Sequence, residues 1–86
     1  MKISVELTLT PLQDNFEEPI IQFIKQLRAS GFTVLENPLS TQIYGEYDQL
    51  MPYLTKEIKT AFEKEENILL NMKIVKSDRS NYDRNY

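Results

Sequence analysis

The segment from Asn37 to Asp48 reads NPLSTQIYGEYD and holds a turn, a strand and the start of a helix. The pair Asn37-Pro38 is typical of a turn. The β-branched and aromatic residues between Thr41 and Glu46 favour a strand. Asp48 follows at the position of a helix cap. Because strand and helix signals lie so close together, the segment predicts a small α+β domain.

A strand and a helix are predicted before this segment. Apolar residues alternate with polar ones at Ile3, Val5, Leu7 and Leu9. This period of two indicates a strand with one buried face, which Pro11 ends. Apolar residues then recur at helical spacing from Phe16 to Leu27, and Gly31 stops the helix.

Three further elements complete the pattern. Residues 32–36 predict a strand that forms a hairpin with residues 41–46. Asp48 predicts the cap of a second helix, with Pro52 in its first turn. Residues 67–76 predict a fourth strand. The order βαββαβ predicts a ferredoxin-like fold, a four-stranded antiparallel sheet with both helices on one face.

Composition excludes several classes of function. The chain has 86 residues and a formal charge of -3, with no Cys and no His. A negative charge disfavours nucleic acid as a partner, because phosphate binding needs clustered Lys and Arg. Without thiols or imidazoles, disulfides, thiolate metal sites and the usual proton shuttles are absent. We therefore expect no metal, no cofactor and no catalytic residue.

The ends of the chain bear on location and domain organisation. No apolar run approaches the roughly 20 residues that span a bilayer, and the N-terminus alternates where a signal peptide is continuously apolar. We expect a cytoplasmic protein without a membrane span. Residues 1–76 are predicted to form one domain. Residues 77–86 contain no aliphatic residue and are predicted to be a solvated tail, or to order on a partner.

Candidate ligand-binding residues follow from the predicted sheet. If the apolar residues of the first and third strands face the helices, their polar residues face the open side, joined there by Asn71 and Lys73. Carboxylates and an aromatic ring suit an organic cation or an amino-substituted heterocycle. With the hydroxyls that follow the turn, the candidates are Glu6, Thr8, Ser40, Thr41, Gln42, Tyr44 and Glu46.

Other interpretations of the same residues stay open. Polar residues on a half-exposed sheet are usually solvated, Ser40 and Thr41 can cap the turn, and Tyr44 can be a core or interface ring. The open face could instead be buried between subunits of a structural or regulatory oligomerisation module. Glu6 and Glu46 could form an acid and base pair, although no nucleophile or metal ligand accompanies them. An acylphosphatase-like enzyme needs an Arg in the loop after the first strand, and residues 10–15 contain none. A monooxygenase-like enzyme generally uses a His, and the chain has none. Both enzyme classes are therefore disfavoured.

The stretch from Pro38 to Leu50, PLSTQIYGEYDQL, resembles the signature of the thiamine-binding, YkoF-like family of ferredoxin-like proteins. The positions that match are Pro38, Leu39, Thr41, Ile43, Gly45, Glu46, Tyr47, Asp48 and Leu50. Ser40 stands where the family usually has Gly, and Tyr44 stands where it usually has Glu. The likeness covers about residues 1 to 79, and the segment after Arg79 differs from the family's usual C-terminal extension.

The resemblance implies a non-catalytic, oligomeric protein that binds thiamine or its hydroxymethylpyrimidine portion, in vitamin transport or salvage. On that basis Glu6 or Glu46 is expected to accept the amino group, Tyr44 to stack on a ring and Thr41 to hydrogen-bond the pyrimidine. A homodimer or homotetramer is expected, since four strands leave two sheet edges unpaired and the core of a short chain is thin.

Overall fold

The sheet and helices follow the predicted order. A computed structural model describes residues 1–80, and the rest of the predicted tail, residues 81–86, lies outside them. The elements are β1 Lys2–Pro11, α1 Glu17–Arg28, β2 Thr33–Glu36, β3 Thr41–Glu46, α2 Tyr47–Lys64 and β4 Ile68–Val75. The strands form one antiparallel sheet in the order β2-β3-β1-β4. The ferredoxin-like fold is confirmed.

The two central strands, β1 and β3, set which side chains meet the helices. Val5 lies opposite Ile43, and Glu6 lies opposite Gln42. Because side chains alternate along a strand, Val5 and Ile43 point toward the helices while Glu6 and Gln42 point away from them. We call this second side of the sheet the open face. The predicted orientation of β1 and β3 is therefore confirmed.

The core lies between the helix side of these strands and the two helices. Eight apolar side chains are buried in it: Ile3, Val5, Leu7, Phe23, Leu27, Ile43, Leu50 and Leu54. Both helices contribute, which explains why their apolar residues recur at helical spacing. Within residues 1–80, no helix is both long and apolar enough to cross a membrane.

Helix α2 starts earlier than predicted. Its first residue is Tyr47, Glu46 takes the N-cap position, and Asp48 lies inside the first turn. The backbone N–H of Tyr47 donates to the carbonyl of Met1 at 2.9 Å, which satisfies a donor at the helix start. Pro52 consequently lies in the second turn, where it cannot donate to the carbonyl of Asp48. Pro52 is exposed, so water can reach that carbonyl.

Gly45 allows the connection between the sheet and the helices to pack closely. It lies opposite Ile3 on the helix side of the sheet. A Cβ atom at this position would lie 2.8 Å from Cδ1 of Phe32, well inside van der Waals contact. The Phe32 ring also packs against Tyr53, with 5.5 Å between ring centroids. The ring is therefore held against the glycine.

We expect Gly45→Ala to lower the free energy of unfolding by about 1–3 kcal/mol, because the added methyl overpacks this contact. Urea denaturation measures the change. Phe32→Leu provides the control, since a smaller side chain relieves the clash. If Gly45→Ala costs as much in the Phe32→Leu background as in the wild type, the ring is not the cause.

Candidate functional site

Four polar side chains meet at the centre of the open face. Glu6 on β1 lies opposite Gln42 on β3 and opposite Lys73 on β4. Ser40 Oγ donates to Glu6 Oε2 at 3.1 Å, and Gln42 Nε2 donates to Ser40 Oγ at 2.9 Å. The ammonium of Lys73 lies 3.8 Å from Glu6 Oε1. We call Glu6, Ser40, Gln42 and Lys73 the Glu6 cluster.

The turn between β2 and β3 positions Ser40 in this cluster. The side-chain oxygen of Asn37 accepts the backbone N–H groups of Leu39 at 2.8 Å and Ser40 at 2.9 Å. The backbone N–H of Asn37 donates to the carbonyl of Ser40 at 3.1 Å. These bonds close an Asx-type turn. The Asn-Pro signal in the sequence therefore corresponds to the turn that orients the serine hydroxyl.

A shallow depression of about 250 Å³ borders the Glu6 cluster. It is lined by Glu6, Thr8, Asn71, Met72 and Lys73. Thr8 Oγ1 donates to the carbonyl of Leu39 at 3.4 Å, which joins Thr8 to the same turn. The structure thus brings together four of the predicted candidates, Glu6, Thr8, Ser40 and Gln42.

Tyr44 lies on the open face but is covered. Residues 77–80 return over this end of the sheet: Ser4 Oγ donates to the carbonyl of Ser77 at 2.6 Å and accepts the backbone N–H of Arg79 at 2.8 Å. Ser4 and Tyr44 are 7% and 8% exposed. The open face therefore has a covered end at Tyr44 and an accessible end at Glu6.

The electrostatics of the covered end follow from this packing. Burial raises the pKa of the Tyr44 phenol, and the negative charges of Asp78 and Glu6 raise it further. Asp78 itself accepts hydrogen bonds from the hydroxyl of Ser80 at 2.6 Å and its backbone N–H at 2.9 Å. These bonds lower the pKa of Asp78. Two carboxylates therefore act on the Tyr44 ring: Glu6 belongs to the sheet, and Asp78 belongs to the returning segment.

Two of the sequence candidates lie away from the Glu6 cluster. Glu46 is at the far end of β3, where its carboxylate binds the N-terminal ammonium of Met1 at 2.9 Å. Thr41 lies opposite Leu7 on the helix side of the sheet and is 8% exposed. It lines a second cavity of about 170 Å³ between the β2–β3 turn and α1, which we call the turn cavity. Thr8 and Ser40 also line this cavity.

Sequence reasoning missed the contribution of Ser4 and of residues 77–80. Ser4 is a small polar residue in a central strand, and only its partners at Ser77 and Arg79 show that it anchors the returning chain. Those partners lie more than 70 positions away, at a separation that periodicity does not reach. Among residues 1–80, no group of three or more Asp and Glu side chains converges in a way that could hold a metal ion.

Comparison with protein families gives a match over most of the chain. The model of the family described as thiamine-binding protein matches residues 5–84. The match therefore covers nearly the whole chain, including the Glu6 cluster and the turn. A comparison with curated protein sequences found no significant match.

Three solved structures resemble the chain. A candidate thiamine biosynthesis/salvage protein of Thermotoga maritima superimposes with a TM-score of 0.77 at 18% identity, over 86% of this chain and 82% of its own. A Streptococcus pneumoniae protein superimposes with a TM-score of 0.71 at 29% identity, over 91% of this chain and 89% of its own. A hypothetical protein of Methanocaldococcus jannascii superimposes with a TM-score of 0.73 at 16% identity, over 90% of this chain and 81% of its own. At identities this low, the superpositions show a shared fold.

We expect the wild type to lose stability as pH rises past the ordinary tyrosine pKa of about 10. The pKa of Tyr44 is raised in the folded chain, so folding favours the neutral phenol. The contribution of Tyr44 to the free energy of unfolding is fully present below its pKa in the unfolded chain. It is lost as pH rises through its pKa in the folded chain. Tyr44→Phe should lose less stability over this range, as measured by urea denaturation at a series of alkaline pH values.

Tyr47→Phe is the matched control, because Tyr47 is 42% exposed. This variant should follow the wild-type curve. Burial also raises the pKa of Tyr53, so part of the alkaline loss should persist in every variant. If the stability of Tyr44→Phe falls with alkaline pH in the same way as that of the wild type, Tyr44 is not the source of the pH dependence.

Proposed function

We propose that this chain, which belongs to the thiamine-binding protein family, binds thiamine or its hydroxymethylpyrimidine portion at the Glu6 cluster. The proposed role is cytoplasmic salvage or transport of the vitamin, without catalysis. The observation that carries this proposal is the carboxylate of Glu6, held by Ser40 beside an accessible depression.

The carboxylate of Glu6 is suited to an organic cation. Its side chain is 43% exposed, and Ser40 orients one of its oxygens. The other oxygen lies 3.8 Å from the ammonium of Lys73, whose side chain is 73% exposed. This distance is too long for a hydrogen bond, and exposed ion pairs contribute little. A cationic thiazolium or an amino group can therefore displace Lys73 at small cost.

Gln42 can supply a complementary pair of polar atoms. Its amide has two N–H donors and a carbonyl acceptor, and one donor is used by Ser40. The second donor and the carbonyl oxygen suit the ring nitrogen and the amino group of an aminopyrimidine. Thr8 on the neighbouring strand borders the same depression. The proposal therefore assigns recognition of the pyrimidine to Gln42 and charge recognition to Glu6.

The departure from the family pattern at Tyr44 fits this division of roles. Tyr44 replaces the usual acidic residue, and it is covered by residues 77–80 rather than open to a ligand. We therefore assign Tyr44 to the wall of the site instead of a stacking surface, and the acidic group to Glu6. The alternative of an oligomerisation module with a buried open face is less favourable, because Glu6 and Lys73 would both lose water.

Calorimetric titration with thiamine and with hydroxymethylpyrimidine tests the proposal. We expect binding to the wild type and a loss of at least about tenfold in affinity for Glu6→Gln, since a hydrogen bond to a charged group contributes roughly 1.5–3 kcal/mol. Glu63→Gln is the matched control: it removes the same charge at an exposed position of α2, and its affinity should equal that of the wild type.

Thr41→Val separates the two possible locations of the ligand. It removes a hydroxyl that lines the turn cavity and leaves the Glu6 cluster intact. Binding should be unchanged in this variant. If Thr41→Val abolishes binding while Glu6→Gln does not, the ligand occupies the turn cavity and the proposed site is wrong. If the wild type shows no heat with either compound and no thermal shift, the proposed function is wrong.

A further inference from the structure

The open face carries positive side chains beside the carboxylate of Glu6. Lys73 on β4 lies directly opposite Glu6 and therefore shares its face. The returning chain brings the backbone of Arg79 to Ser4, which lies two residues, or about 7 Å, from Glu6 along β1. Among residues 1–80, Arg79 forms no ion pair. Two cationic residues of different elements thus border the Glu6 cluster.

A serine orients the guanidinium of Arg79. Its Nε donates to Ser77 Oγ at 3.0 Å, and the carbonyl of Ser77 accepts the hydroxyl of Ser4 at 2.6 Å. The bond at Nε leaves both terminal NH2 groups of the guanidinium as donors. The hydroxyl of Ser77 also keeps its own hydrogen to donate. The returning chain therefore presents an oriented set of donors at the edge of the open face.

Asp78 is the negative group of the same segment, and its charge is offset by other groups. Its carboxylate accepts the hydroxyl and the backbone N–H of Ser80 at 2.6 and 2.9 Å. These bonds lower its pKa, and the positive charge of Lys2 lowers it further. Arg79, in contrast, contacts a neutral hydroxyl. The positive charge of Arg79 is therefore available to an anion.

Binding of a cation at Glu6 would change the surroundings of Lys73. The ammonium of Lys73 lies 3.8 Å from Glu6 Oε1, the place that the ligand cation takes in the proposed site. Once displaced, the ammonium borders the depression beside Asn71 and has lost its carboxylate. A negative group on the ligand itself can restore the ion pair. A ligand with a positive ring and a negative end thus satisfies both Glu6 and Lys73.

We infer that Lys73, Ser77 and Arg79 form an anion subsite of the Glu6 cluster, and that the preferred ligand is a phosphate monoester of the organic cation. The inference rests on the proposed function. The alcohol of thiamine ends a short alkyl chain on the thiazolium ring, so a phosphate there lies beyond the cationic centre. Arg binds phosphate through paired N–H groups, and Lys binds it as a point charge. The free vitamin is then the weaker ligand.

Calorimetric titration with thiamine and with thiamine monophosphate is the first test. We expect the phosphate ester to bind the wild type at least about tenfold more tightly, because it adds hydrogen bonds between charged groups. Arg79→Gln keeps the backbone N–H that binds Ser4 and should bring the ratio of the two affinities close to one. If the wild type binds both compounds equally, the anion subsite is wrong and the proposed function stands.

Lys73→Gln provides a second signature, because Lys73 acts differently on the two ligands. Affinity for thiamine should stay equal or rise, since no ammonium has to leave Glu6. Affinity for thiamine monophosphate should fall about tenfold, since the phosphate loses a charged partner. Lys59→Gln is the matched control: it removes the same charge at an exposed position of α2, and it should change neither affinity. Equal losses for both ligands in Lys73→Gln would overturn the inference.

Inorganic phosphate separates this inference from the proposed function. In Glu6→Gln, Lys73 no longer faces a carboxylate, so phosphate should raise the Tm more than in the wild type. Adding Arg79→Gln should remove that increase. If neither organic compound binds but phosphate stabilises Glu6→Gln through Arg79, the anion subsite is supported and the vitamin is rejected as its ligand. Equal stabilisation of all variants by phosphate would place the anion elsewhere and reject the subsite.

Discussion

The pairing register of β1 with β3 is the constraint on which the other features of the structure depend. Val5 opposite Ile43 places the apolar residues of both strands against the helices, and the same register places Glu6 opposite Gln42 on the open face. A slip of one residue would exchange the two faces and expose the core. Burial of the apolar side chains on the helix side therefore also fixes which polar side chains lie opposite each other on the open face.

The Glu6 cluster is formed where this register meets a turn that has its own hydrogen bonds. Asn37 closes the turn and presents Ser40 to Glu6, and Lys73 approaches from the other neighbouring strand. One end of the open face is thus accessible and charged, while the other is covered by residues 77–80 at Ser4. This difference between the two ends is the reason why the proposed ligand site lies at the accessible end.

The chain belongs to the thiamine-binding protein family, and the Glu6 cluster is its proposed ligand site. At Tyr44, the family pattern and the structure give different information. The family pattern identifies it as a departure from the usual acidic residue, and the structure shows that it is buried near the carboxylates of Asp78 and Glu6. In the proposed site, the acidic group comes from Glu6 on β1.

The sequence alone determined the order of elements, the fold and the two faces of β1, β3 and β4, because alternation and helical spacing are local signals that burial must satisfy. It also identified Glu6, Ser40 and Gln42 as candidates. Alternation with Ile43 also puts Thr41 on the helix side of β3. Tertiary structure decided that Glu46 binds the N-terminus and that Ser4 anchors residues 77–80. These outcomes depend on contacts between residues distant in the chain, and local patterns do not encode such contacts.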